Sequence, residues 1–148
     1  MTISFYATGI PKAQPRPRAF ARKLPNGKVI VRAYEAATAE GWKSAVAIAA
    51  RRRLPAKPLE GPLRVNIVFN MPRPRSHFKG KSNTLKDSAP CWHTIKPDRD
   101  NLEKAVLDAL STIGMWTDDC QVCCGEVKKT YAVGNSQPGA AIAITQII

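Results

Sequence analysis

Acidic residues are scarce in this chain, and most of the charged residues in its first two thirds are basic. Its 148 residues include 23 Lys or Arg and 11 Asp or Glu, for a net charge of +12. Residues 1–97 hold 19 of those cations and four acids, a net of +15, whereas residues 98–148 hold four cations and seven acids, a net of −3. A basic solvated surface beside an acidic one is the plainer interpretation. A phosphate-binding surface around a carboxylate pocket fits better, because cations that neutralise phosphates release counterions.

Long apolar runs are also absent, which excludes a membrane-spanning helix. The first twelve residues, MTISFYATGIPK, have neither a charged start nor an extended apolar stretch, so we expect no secretory signal and a cytoplasmic protein. Hydrophobic residues make up 44% of the chain, and the sequence contains neither repeats nor a linker. These features predict one domain over residues 1–148 with one sizeable core.

Cysteine is represented by four residues, and a cytosolic protein should keep them reduced. Cys91, His93, Cys120 and Cys123 supply four potential zinc ligands. However, the Cys91-x-His93 spacing is tighter than usual, and Cys120 and Cys123 fall in a predicted strand that would turn them to opposite faces. We therefore expect buried free thiols rather than a structural zinc site.

Alternating and turn-forming residues predict most of the strands. Strands are expected over Thr2–Ala7, Leu63–Asn70, Gln121–Tyr131 and Ala140–Ile147, with a turn over 134–139 before the last. Phe20–Leu24 and Lys28–Arg32 flank Pro25-Asn26-Gly27, which is typical of a hairpin. Residues 9–18, with three prolines and three cations, predict an extended basic arm.

Two helices and one long loop complete the predicted fold. The first helix runs from Thr38, a plausible N-cap, to about Arg53, with Trp42 and Val46 on its apolar face. The second covers Asp100–Ser111. Residues 71–97 lack periodicity and form a basic loop of a length that is usually functional or mobile. The order predicts a single α+β domain with a mixed or antiparallel sheet and two main helices.

Carboxylates cluster around the second helix, in the run KPDRDNLEKAVLDAL. Asp98 and Asp100 precede or open the helix, and Asp100 with Glu103 has the spacing of a capping box. Asp118 and Asp119 then lie at the head of the following strand. Asp100, Lys104 and Asp108 share one helix face, opposite an apolar stripe. The short connection from Ser111 to Thr117 can return the later acids to the same end of the sheet.

Such a carboxylate set, without a strong His or Cys partner, suits Mg²⁺, which prefers oxygen ligands and retains waters for a phosphate substrate. An ion of this kind generates hydroxide and neutralises charge during phosphodiester hydrolysis. Lys104 is placed to stabilise that charge or to assist the leaving group. The plainer alternative is that Asp100 caps the helix, Lys104 pairs with Asp108 and the two later acids form a turn.

The combination of KPDRDNLEKAVLDAL, GMWTDDCQV and the early GIPKAQPRPR resembles the RusA-type Holliday junction resolvases, which are often carried by prophages. The resemblance implies that Asp98, Asp100 and Asp119 bind one or two Mg²⁺ ions per subunit and that Lys104 assists catalysis. It also places Asp118 and Lys129 beside this site. It implies a homodimer that introduces paired symmetric nicks into four-way DNA junctions, without a small-molecule cofactor. The sequence departs from the family in 71–95 and in Cys120, Cys123 and Cys124.

Cations outside the acidic segment are the expected DNA contacts, and Trp92 and Phe78 are candidates for stacking on unpaired bases, although packing on the sheet would suit both. The expected phosphate-binding residues are Lys12, Arg16, Arg18, Arg73, Arg75, Lys79, Lys81 and Lys96. Two other functions stay open at this point. One is a nuclease for flaps, forks or other branched DNA, and the other is a non-catalytic DNA-binding module whose acids only cap and pair.

Overall fold

Alternating apolar side chains build a sheet with one buried face. The computed structural model describes residues 1–15, 17–35, 38–133 and 136–148, and the side chains at 17, 18, 20 and 32–35 lie outside that description. The strands are β1 (Thr2–Thr8), β2 (Pro17–Lys23), β3 (Val29–Glu35), β4 (Leu63–Met71), β5 (Val122–Cys124), β6 (Val127–Tyr131) and β7 (Gly139–Gln146); the helices are α1 (Glu40–Arg51) and α2 (Arg99–Thr112). In β4 every second residue is buried, as its alternation predicts.

The main sheet is mixed, and β4 runs through its middle. β7 pairs antiparallel with both β1 and β4, while β5 and β6 pair in parallel with the other edge of β4. Helix α2 therefore serves as the crossover that parallel strands require. The β2–β3 hairpin forms a separate two-stranded sheet around the predicted Asn-Gly turn. The α+β prediction and the prediction of two main helices are confirmed.

Both helices cover the same side of the main sheet. Helix α1 packs against β1 and α2. The core combines alternate residues of β4 with the apolar stripes of the two helices. Its members include Val65, Ile67, Phe69, Trp42, Val46, Ala50, Leu102, Val106 and Leu110. Neither helix, among the residues that the structure describes, has the length and apolarity needed to cross a membrane.

Both helices begin at residues other than those predicted. The N-cap of α1 is Ala39 rather than Thr38, and that helix ends at Arg51. The N-cap of α2 is Asp98, so Asp100 lies within the first turn and the proposed Asp100–Glu103 capping box is wrong. Pro97 limits where α2 can begin. The residue before a proline is disfavoured in helical conformation, so the helix can start only after Lys96.

The predicted strand Gln121–Tyr131 is divided into β5 and β6 at Gly125. This glycine has φ +147°, and a Cβ placed on it would lie 1.8 Å from the carbonyl oxygen of Val65. Only glycine permits this backbone conformation and this close approach. The side chain of Asn66 accepts a hydrogen bond from the amide of Glu126, which holds the interruption against β4.

The 71–97 loop is tied to the edge of β6 rather than free of the sheet. Trp92 bridges to Thr130, the amide of Tyr131 donates to the carbonyl of Cys91, and the amide of His93 donates to the carbonyl of Lys129. A 3-10 turn over Arg75–His77 and a bridge between Phe78 and Leu85 organise the earlier half of the loop. The lack of sequence periodicity therefore reflects local hydrogen bonding and not an absence of structure.

Candidate active site

Lys104 connects two acids that come from different segments. From the exposed face of α2 its ammonium donates to a carboxylate oxygen of Asp119 at 3.0 Å and lies 2.9 Å from an oxygen of Asp108, one turn further along the helix. These two carboxylates, Asp108 first, raise the pKa of Lys104. The side chains are partly exposed, 53% for Lys104 and 31% for Asp119, so solvent and a phosphate group can reach this pair.

Asp119 is presented by a short capped turn. The 3-10 turn Asp119–Gln121 has Asp118 as its N-cap, and a carboxylate oxygen of Asp118 accepts the amide of Cys120 at 2.8 Å. That hydrogen bond is the largest cause of a lowered pKa for Asp118. The side chain of Gln121 accepts the amides of Thr117 and Asp118 and donates to the carbonyls of Leu59 and Gly61. Asp118 thus shapes the turn from which Asp119 reaches Lys104.

The sequence carries a signal for this turn that the expectation of a strand overlooked. Asp118 followed three positions later by Gln121 has the spacing of a capping box, which marks the start of a helical turn.

Asp98 faces a different set of groups at the start of α2. Its carboxylate lies 3.2 Å from the ammonium of Lys96. Lys129, on β6, donates to the carbonyls of Ile95 and Pro97 and so holds the segment that leads into the helix. Partial burial lowers the pKa of Lys129, an effect that the negative charge of Asp98 opposes. Lys129 is therefore a residue that positions the chain around Asp98.

The three acids expected to bind a metal are not gathered around one point. Among the described residues, which include Asp98, Asp100 and Asp119, no group of three His, Cys, Asp or Glu side chains is arranged to hold an ion. Asp98 is turned toward Lys96, and Asp119 toward Lys104. Their chemistry does fit a hard divalent cation, because carboxylate oxygens are the ligands that Mg²⁺ prefers.

Comparison with known proteins assigns the chain to a family. The profile of the family described as "Endodeoxyribonuclease RusA" matches residues 8–145, which is nearly the whole chain. The chain belongs to the RusA family. It is also 33% identical over 146 residues to a protein of Bacillus subtilis (strain 168) that carries the name "Uncharacterized protein YqaN", and the match covers 98% of this chain and 96% of that protein.

The RusA family is a family of endodeoxyribonucleases, so membership supports this enzymatic activity for the chain. The resemblance to the family that the sequence motifs indicated is confirmed. Asp98, Asp100, Lys104 and Asp119 are the residues that are expected from the sequence in the family's active site. In this RusA chain they lie along α2 and the capped turn that faces it. The family match does not assign individual roles to them.

The predicted DNA-contacting cations differ in whether their charged groups are hydrogen-bonded within the protein. Lys12, Lys79, Lys81 and Lys96 are exposed. Arg16 and the side chain of Arg18 lie outside the described residues. Two arginines bind the loop itself: Arg73 donates to the carbonyls of Ala132 and Pro90 and covers the ring of Tyr131, and Arg75 donates to the carbonyl of Gly80 and covers the ring of Phe78.

The four cysteines are exposed, so the prediction of buried thiols is wrong. Cys120 lies in the 3-10 turn, and the thiol hydrogen bond to Asp118 raises the pKa of that cysteine. Cys123 lies in β5, which is an edge strand only three residues long. This sheet edge is too short to cover Cys123 and its neighbour Cys124, which explains the exposure of these two side chains.

Proposed function

We propose that this protein is a Mg²⁺-dependent endonuclease that resolves four-way DNA junctions by paired nicks. The observation that carries the proposal is the contact of Lys104 with Asp119, which joins the two motifs that the family match includes. A positive charge beside an acid, on an exposed surface of a basic protein, is suited to bind a phosphodiester and to stabilise the charge that develops on it.

Asp98, Asp100 and Asp119 would hold the metal. Bound Mg²⁺ supplies a nucleophile from coordinated water and neutralises charge on the phosphate. Lys104 remains protonated at neutral pH, because its two acidic neighbours raise its pKa. It would therefore donate to a phosphate oxygen or to the leaving oxygen. Asp118 would keep Asp119 in place through the capped turn, and Lys129 would keep the segment before Asp98 in place.

DNA would be held by cations that the protein fold leaves available. Lys12, Lys79 and Lys81 are exposed and meet this condition. Lys96 is also exposed but pairs with Asp98, so it would contact DNA beside the metal site. Arg16 and Arg18 stay in the proposal from sequence. Arg73 and Arg75 would contribute indirectly, because their guanidinium groups hold the loop that carries Lys79 and Lys81. Trp92, 57% exposed at the edge of β6, would be able to stack on a base at a branch point.

A homodimer would match the two-fold symmetry of a four-way junction. The outer face of the sheet supports this proposal, because it carries small side chains on three adjacent strands. Ser4, Ala143 and Asn66 lie side by side across β1, β7 and β4. The backbone of β7 is paired on both sides, so this strand would contribute its outer face and not an edge.

Cleavage of labelled synthetic substrates tests the proposal. Four-way junctions, flaps, forks and duplexes are incubated with the protein in Mg²⁺ and in EDTA. We expect junction cleavage that requires the metal and is lost in Asp98→Asn and Asp119→Asn, while junction binding persists. Asp87→Asn, an exposed acid in the 71–97 loop, is the matched control and should cleave normally.

Faster cleavage of flaps or forks than of four-way junctions would indicate that flaps or forks are the substrate. Binding without cleavage of any substrate would indicate a DNA-binding module. Pairing of the nicks is measured on a supercoiled plasmid that extrudes a cruciform. Coupled nicks release linear DNA, whereas single nicks give open circles. A sedimentation experiment at micromolar concentration should give about twice the chain mass of 16.2 kDa. A monomer that forms only open circles would contradict the dimer proposal.

A further inference from the structure

A cleft of about 750 Å³ has Asp98 at its wall and extends beyond that residue to side chains to which the proposed reaction gives no role, among them Gln14 and His93. One wall is the segment Ile10–Pro15, and the opposite wall is formed by Lys96, Pro97, Asp98 and Asn101. The amide of Gln14 donates to the carbonyl of Asn101, which ties the first wall to the start of α2. The volume of the cleft lies in the range of clefts that bind small molecules, roughly 300–1,000 Å³.

Two polar atoms in the walls of this cleft lack a hydrogen-bond partner within the described part of the chain. They are Nδ1 of His93, a residue only 7% exposed, and Oε1 of Gln14. Buried polar atoms are almost always hydrogen-bonded, and an unpaired one calls for an explanation. Both residues line the cleft, so a ligand that reaches them there is a candidate for the missing partner of each.

The other residues that line the cleft indicate which kind of ligand would fit it. Met71, Pro72, Pro97 and Ala13 offer apolar surface, and Lys12 and Lys96 add positive charge. A nucleotide combines the matching parts, since it has a flat base with a hydrogen-bonding edge and an anionic phosphate. A wholly apolar ligand would leave His93 and Gln14 unpaired, and a simple anion would not use the apolar walls.

We propose that this cleft receives a single unpaired nucleobase of the DNA strand that passes Asp98, and that His93 and Gln14 hydrogen-bond to the edge of that base. The inference rests on the proposed function, because it takes branched DNA as the substrate. Bases next to a branch point are unstacked more easily than bases inside a duplex, and enzymes that take up a base gain selectivity from this difference.

The chemistry of the two side chains suits the recognition of a base edge. An amide side chain carries both an acceptor and donors, and a neutral imidazole has one nitrogen of each kind. Burial and the nearby charge of Lys129 lower the pKa of His93, which favours the neutral ring. His93 is held edge-on against Tyr131, with 4.9 Å between ring centroids, so its orientation is set before DNA binds.

Fluorescence of 2-aminopurine tests base capture without cleavage. The probe is placed, in separate junctions, at each position flanking the branch point, and Asp119→Asn protein is added in EDTA. We expect fluorescence to rise at one flanking position, because the base leaves the stack. The rise should be lost in Gln14→Met, whose backbone hydrogen bond to Asn101 does not depend on the side chain, and in His93→Phe.

Two matched substitutions serve as controls. His77 also lies edge-on against Tyr131, at 4.8 Å, but does not line the cleft, so His77→Phe should preserve the signal. Gln137→Met, on an exposed residue away from the cleft, should preserve it as well. If His93→Phe fails to fold by circular dichroism, Gln14→Met alone decides the result.

Cleavage of junctions that carry each of the four bases at the responding position gives the second readout. Wild-type protein should discriminate among them by about tenfold or more, as expected for specific base contacts. Gln14→Met should reduce this ratio, because the variant lacks the amide that would distinguish one base edge from another.

The proposal is overturned if no probe position responds, or if the fluorescence and the base ratio are unchanged in Gln14→Met. Failure of wild-type protein to cleave junctions would contradict the proposed function, while the fluorescence would still report base capture. Efficient cleavage without a fluorescence response would overturn the cleft proposal alone.

Discussion

The ammonium of Lys104 lies 3.0 Å from a carboxylate oxygen of Asp119, although 15 positions separate the two residues in the sequence. The contact joins α2 to the capped turn over Asp119–Gln121. It brings together one residue from each of two sequence motifs, KPDRDNLEKAVLDAL and GMWTDDCQV, on a partly exposed surface. The contact also supplies a direct test of whether the charge of Lys104 serves catalysis or only stability.

Lys104→Met should reduce the rate of cleavage at saturating enzyme by about 10²-fold, because it removes a positive charge from the developing phosphate charge. Junction affinity should change little, since several other cations contact DNA. Single-turnover cleavage and gel-shift titration measure the two effects separately. Lys128→Met is the control, because Lys128 lies in β6 and pairs with Glu126 at 3.1 Å, away from Asp119. A normal cleavage rate in a folded Lys104→Met protein would limit this lysine to a structural role.

Lys79→Gln combined with Lys81→Gln should weaken junction binding and make it less sensitive to salt. If each lysine neutralises one phosphate, the slope of log affinity against log salt concentration should fall by about 0.9 per residue on duplex arms. Binding titrations over a series of salt concentrations measure that slope. Lys57→Gln is the control, on an exposed residue that lies before β4 and thus at the opposite end of that strand from the loop. An unchanged slope in the double variant would show that these lysines do not contact phosphates.

Gly125→Ala should destabilise the fold by about 2 kcal/mol or more, because the added Cβ has a disfavoured φ and collides with the Val65 carbonyl. Gly41→Ala in α1 should stabilise it by about 0.5–1 kcal/mol, since a Cβ there meets nothing within 4 Å and alanine favours helix. Urea unfolding of both variants measures these free energies. Equal stabilities would contradict the close approach of β4 to Gly125.

Asp118→Asn removes a charge and keeps an acceptor oxygen for the amide of Cys120. The pKa of Asp118 is lowered in the folded protein, so the unfolded chain binds its proton more readily. The contribution of the charge is therefore present above the ordinary aspartate pKa of about 3.9 and is lost as the pH falls through the lower folded value. The unfolding free energies of the wild type and the variant should differ at pH 6 and converge in strong acid. A difference that is constant over this range would contradict this account.

Elements that depend on local pattern could be predicted from the amino-acid sequence. The alternation in Leu63–Asn70 predicted β4, the Asn-Gly turn predicted the β2–β3 hairpin, and the spacing of Leu102, Val106 and Leu110 predicted the buried face of α2. These signals are reliable because side chains repeat every two residues along a strand and every 3.6 along a helix. The family match was also readable from sequence, because its motifs are contiguous.

Features that depend on contacts between distant residues became visible only in the folded structure. The break at Gly125 follows from the carbonyl of Val65 on a neighbouring strand, which no local pattern records. Cys123 and Cys124 are exposed because they lie in β5, which is a short edge strand. Gln14 and His93 line one cleft only because the N-terminal segment packs on the start of α2 and the 71–97 loop pairs with β6. Such placements are set by packing and hydrogen bonding between distant segments, which local propensities do not encode.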